Sequence, residues 1–94
     1  MINYIAEFLG TYILCLVILS IFKKYPNWTA QTIGIMISTL VTLILFSENE
    51  ADFNPVVTFM YFLDGKRSIQ QLVRFILAQI LGALSAYLTV RVIF

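Results

Sequence analysis

Three apolar runs, each close to the length a helix needs to cross a bilayer, constrain this chain more than any other feature. Ile5 to Phe22 is apolar apart from Glu7, Thr11 and Ser20. Thr29 to Phe46 follows a polar turn, and a last run from about Leu72 to Phe94 carries only Arg74, Gln79 and Arg91 as strongly polar residues. Crossing hydrocarbon takes about 20 predominantly apolar residues. Of the 94 residues, 61% are hydrophobic and 12% charged, and a soluble chain this short has too small a core to hide so much apolar surface. The expected fold is therefore an all-α membrane protein, one domain over residues 1–94, with the lipid bilayer as its main partner. The net charge of +1 gives no attraction to nucleic acid.

The residue inventory also excludes chemistry. There is no histidine, and the single cysteine, Cys15, lies inside the first run, so zinc sites, imidazole catalysis and an intramolecular disulfide are ruled out. No metal, cofactor or enzymatic activity is expected. Lys23 and Lys24 follow the first run instead of preceding it, so that run reads as a retained span and not as a signal peptide. Tyr25 and Trp28, in the turn, suit the aromatic belt at a membrane interface.

The informative segment lies between the second and third runs, at about residues 47–63. It opens with Glu48, Asn49, Glu50, Ala51 and Asp52, and continues through Phe53, Asn54 and Pro55 to the apolar stretch Val56 to Leu63. Asn54-Pro55 predicts a helix start, because asparagine caps free amides and proline lacks an amide while already holding helical φ. Asp64-Gly65 ends that helix after about nine residues, or about 13 Å, less than half of a hydrocarbon core about 30 Å thick. Such a helix enters the membrane without crossing it, or else lies on its surface. Val56, Val57, Phe59, Met60, Tyr61, Phe62 and Leu63 are apolar nearly all round, which favours insertion. Non-helical backbone at membrane depth is tolerated where it is buried in protein or lines a water-filled cavity, so a capped half-helix implies a pore or binding site. The expected architecture is three transmembrane helices, at about 4–22, 29–46 and 71–93, plus one re-entrant half-helix.

Three motifs stand in order around these spans: Ala6-Glu7-Phe8-Leu9-Gly10-Thr11, Asn54-Pro55-Val56-Val57-Thr58 and Ala78-Gln79-Ile80-Leu81-Gly82-Ala83. Their order resembles the first half of aquaporins and glycerol facilitators, the major intrinsic protein family, over nearly the whole chain. Full-length members carry two such halves, inverted in the membrane, whose half-helices meet at the midplane. The resemblance implies a passive channel for water or small neutral solutes such as glycerol, with Asn54 presenting its amide at the positive end of the half-helix. It also implies that Glu7, and with it Gln79, supports the re-entrant loop. For Gln79 a bond to a neighbouring helix is an equal alternative.

Two half-helices together are about 27 Å long, nearly the hydrocarbon thickness, whereas one leaves half the path unlined. An antiparallel homodimer is therefore expected, and family likeness extends this to clustering of dimers around a four-fold axis. Lys23, Lys24 and Arg91 fall on one side and Lys66, Arg67 and Arg74 on the other, so the positive-inside bias is close to nil and both orientations are open. The alternative is a non-conducting or heteromeric structural subunit that pairs with another channel half. The expected location is a cell membrane, as a multi-pass protein.

Departures from the family pattern bear on selectivity. Where the family loop reads Ser-Gly-Ala-His, this chain has Asn49, Glu50, Ala51 and Asp52, adding acid near one mouth. Those carboxylates, with Glu48, are otherwise read as a solvated loop. Where the family's second half places an arginine after its Asn-Pro-Ala, this chain has Val57. Counting back without gaps gives Gly34 and Ala51 as the other filter positions. The expected pore-lining set is thus Asn54, Pro55, Val56, Val57, Gly34 and Ala51, a wider and less polar filter than one selective for water. Ala78, Gly82 and Ala86, like Gly34, Ser38 and Thr42, recur every four residues and make flat faces for close helix packing, a role extended to Gly10.

Overall fold

A computed structural model describes residues 4–46 and 52–93. Four helices follow in chain order: α1 (Tyr4–Lys24), α2 (Trp28–Phe46), α3 (Pro55–Leu63) and α4 (Ile69–Ile93), and no strand occurs among the described residues. Helices α1, α2 and α4 are long and apolar enough to cross a membrane. At nine residues, α3 is too short.

Each helix boundary has a local cause. Asn27 Oδ1 accepts the amide of Ala30 at 2.9 Å and opens α2. Asn54 does the same for α3, its Oδ1 taking the Val56 amide at 2.8 Å with Pro55 in the first helical position. The far end of α3 closes with paired bonds, Lys66 N–H to the Tyr61 carbonyl at 2.8 Å and Gly65 N–H to that of Phe62 at 3.1 Å. That pattern needs a residue with positive φ, and Gly65 supplies it at φ 79°. Helix α4 begins before its apolar run because Ser68 and Gln71 cap each other reciprocally, at 2.8 and 3.1 Å.

Contacts between α1 and α4 rise together along both helices. Tyr4 meets Phe75 edge-on at 5.4 Å, the Phe8 carbonyl lies against Gly82, and Tyr12 Oη and Thr89 Oγ1 share a hydrogen bond of 2.9 Å. The two helices are therefore parallel, whereas α2 returns antiparallel with Gly34 beneath Ile21 near the α1–α2 turn. It follows that α2 ends and α4 begins at the same end of the bundle, with α3 between them and its N-terminus beside the middle of α1 and α2. Helix α1 is central: α4 packs along it most extensively, α2 lies against it elsewhere, and α3 leans on α4.

Small residues set these distances. Ala78, Gly82 and Ala86 are buried on α4, as are Gly34, Ser38 and Thr42 on α2. The Ser38 and Thr42 hydroxyls bond back to the carbonyls four residues earlier, which satisfies them within the helix and leaves a flat face toward α1. The other faces of α2 are apolar and open, with Met36, Leu40 and Ile44 all more than half exposed.

Candidate functional site

A cleft of about 280 Å³ opens beside the N-terminus of α3 and is lined by Leu14, Thr39, Leu43, Asp52, Phe53, Asn54, Val57 and Tyr61. Asn54, Val57 and Tyr61 share one face of the half-helix by their spacing of three and four. Pro55 and Val56 fall off that face, are exposed at the tip of α3 and do not line the cleft. Asn54 uses its oxygen to cap the helix, which leaves its Nδ2 as a donor at the positive end of the helix dipole. A larger, shallower groove of about 540 Å³ on the outer face of α2 joins the cleft through Thr39 and Leu43 and is otherwise lined by Ile35, Met36, Ile37 and Leu40.

A buried polar network holds the backbone that leads into α3. Glu7 Oε2 accepts the Asp52 amide at 2.8 Å, while Oε1 accepts the Phe53 amide and Gln79 Nε2, the latter at 2.6 Å. Gln79 Nε2 also donates to Thr58 Oγ1 at 3.0 Å, and that hydroxyl donates to Asp52 Oδ2 at 2.9 Å. Glu7, Thr58 and Gln79 are each at most 2% exposed. One carboxylate on α1 thus ties together the loop, the first turn of α3 and the middle of α4. Gln79 Oε1 and Thr11 Oγ1 are buried without a hydrogen-bond partner, so the Gln79 amide is oriented by its two acceptors alone.

Phe53 is held in an unusual way. Its φ of 60° lies in the left-handed region that side-chain-bearing residues rarely adopt, at a strain of about 1–3 kcal/mol. The bond to Glu7, an edge-on contact with Phe46 at 5.8 Å and a seat over Gly10 fix it there. A Cβ on Gly10 would come within 2.0 Å of the Phe53 ring. Gly10, expected to serve helix packing, therefore makes room for a loop aromatic.

Two further expectations are corrected. Gly34 is not on the cleft: it is buried under Ile21, whose Cδ1 sits 2.2 Å from where a Cβ would stand. Counting residues back from Asn54 fixes a sequence position but not the rotational phase of α2, and Thr39 and Leu43 are the α2 residues that face the cleft. Asp52 is not solvated acid: its side chain is 1% exposed and pairs with Arg67, Nη2 to Oδ1 at 2.8 Å and Nε to Oδ2 at 3.3 Å. Ala51, the remaining filter position, lies outside the described residues, as do Glu48 and Glu50. Leu14, Thr39, Leu43 and Tyr61 carry no motif that would mark them; a hydroxyl at position 39 within an apolar helix was the one available signal. Among the described residues no three histidine, cysteine or acidic side chains gather to hold a metal.

Parallel α1 and α4, an antiparallel α2 and a short capped helix between α2 and α4 define an all-helical membrane protein with three candidate spans. The family model described as Major intrinsic protein matches residues 1–94, and the chain belongs to that family of channels for water and small solutes. No curated protein and no solved structure gives a significant match.

Proposed function

We propose that the chain is a passive channel for water and small neutral solutes whose pore is completed by a second, inverted copy. The observation that carries this is the cleft at the tip of α3, lined from α1, α2, the loop and α3, in which Asn54 has its oxygen engaged in the helix cap and its amide nitrogen left as a donor. One half-helix covers about 13 Å of a hydrocarbon core of about 30 Å, and a second, entering from the opposite face, covers the remainder. Inversion places the two Asn54 tips together, with Pro55 and Val56, exposed in one copy, at the contact between them. Val57, where the family has a filter arginine, leaves an apolar wall that favours glycerol-sized solutes as well as water.

The test is stopped-flow light scattering on liposomes carrying the purified chain alone, with water, glycerol and potassium gradients run side by side. Fast water or glycerol flux without potassium leak is expected. Asn54→Leu should lower that flux at least tenfold while assembly, read by cross-linking, is kept. No flux above empty liposomes would overturn the self-sufficient pore in favour of a chain that needs a different partner half. Unchanged flux in Asn54→Leu would remove Asn54 from the path.

A further inference from the structure

A carboxylate is buried directly behind the cleft wall. Asp52 lines the cleft beside Asn54 and Val57, but its side chain is 1% exposed, so the residue meets the cleft through its backbone and keeps its charge inside the protein. A bare negative charge in a wall of low dielectric acts on ions several ångströms away and would draw cations into any path along that wall. The structure holds this carboxylate against a cation of its own. One edge of the Arg67 guanidinium meets both Asp52 oxygens, at 2.8 and 3.3 Å, with the two side chains 10% and 1% exposed. This is the fork geometry in which arginine neutralises a carboxylate best. The guanidinium is further set by the rings of Tyr61 and Phe75, each 5.1 Å from its Cζ. Neighbouring Lys66 has no such role: its pair with Asp64, at 3.5 Å, is mostly exposed. Glu7, the other buried carboxylate among the described residues, is absent from the cleft lining and spends its oxygens on three N–H donors.

We propose that Arg67 is an ion-selectivity residue, masking the Asp52 carboxylate so that the wall beside Asn54 presents no net charge to a passing solute. The inference rests on the solute path proposed above. It assigns cation exclusion to a residue outside the half-helix, in the connection to α4, that does not itself line the cleft. Two inverted copies would carry two such masked carboxylates, so one substitution unmasks both.

The test uses the full chain in liposomes, with potassium efflux and water flux measured on the same preparation. Arg67→Met should raise the ratio of potassium to water flux at least tenfold. Arg67→Lys, which keeps a cation opposite Asp52, should raise it less than twofold. The double variant Asp52→Asn/Arg67→Met, which removes the charge being masked, should return the ratio to the wild-type value. An Arg67→Met channel that conducts water and excludes potassium like wild type overturns the masking role. So does a double variant that leaks as much as Arg67→Met, because the leak would then come from loosened packing. If Arg67→Met does not insert normally, Arg67→Gln, which keeps a planar donor between the two rings, is read for the same outcomes. A wild-type chain that moves no water overturns the solute path and the masking role together, whereas rapid wild-type water flux with a non-leaking variant overturns the masking role alone.

Discussion

Glu7 carries three donors on two oxygens, two of them backbone amides with no other acceptor in the loop bonds described. Glu7→Leu leaves the Asp52 and Phe53 amides without their acceptor and Gln79 Nε2 with Thr58 alone, and Glu7→Gln turns one accepting oxygen into a competing donor. Each orphaned donor costs about 1–3 kcal/mol. The expected loss is about 2 kcal/mol for Glu7→Gln and well above 3 kcal/mol for Glu7→Leu, and the order of the two denaturation midpoints in detergent checks it. A glutamate in the first turns of a span has to find a partner, so this residue was legible in the sequence. Its loop partners follow from the family motif, not from spacing. Phe53 was illegible: no propensity announces a phenylalanine at φ 60°, and the glycine that seats it lies on α1, far away in the sequence.

Elements were more legible than their rotations. Asn54-Pro55 and Asp64-Gly65 bracket α3 where the sequence puts its ends, because caps are local chemistry. Which face of α2 meets α1 is tertiary, and there the gapless count to Gly34 misled. Close approach between elements makes a graded prediction for one substitution, glycine to alanine. At Gly82 the new Cβ would lie 2.6 Å from the Phe8 carbonyl oxygen, which is backbone and cannot turn aside without moving α1. At Gly34 it meets the end of a flexible Ile21 side chain, and at Gly65 it meets nothing but must adopt φ 79°. Overpacking against rigid atoms costs about 1–3 kcal/mol. A left-handed side-chain-bearing residue costs about 1 kcal/mol. Gly82→Ala should therefore destabilise most, by about 3 kcal/mol, and both Gly34→Ala and Gly65→Ala by about 1 kcal/mol or less. Thermal stability in detergent ranks them, and a Gly82→Ala protein as stable as Gly65→Ala would mean that α1 and α4 are not so closely apposed.

At the scale of the whole molecule, the open cleft and exposed apolar faces fit an assembly in which copies insert both ways, and that depends on charge balance. Lys23, Lys24 and Arg91 lie at the ends of α1 and α4, opposite Lys66, Arg67 and Arg74, three cations against three. Orientation follows the bias in lysine and arginine near the spans. The double variant Tyr25→Lys/Pro26→Lys alters two exposed turn residues and makes the balance five against three, which should commit every copy to one orientation. Flux should then fall to that of empty liposomes. Damage to the turn would produce the same fall, so the decisive arm is complementation. Lys23→Gln/Lys24→Gln leaves one cation against three and commits copies the other way, inactive alone for the same reason. Vesicles from cells expressing both variants should recover conduction, because each supplies the orientation the other lacks, and two locally damaged chains would not. A Tyr25→Lys/Pro26→Lys channel that conducts fully by itself would show that the pore does not need inverted copies.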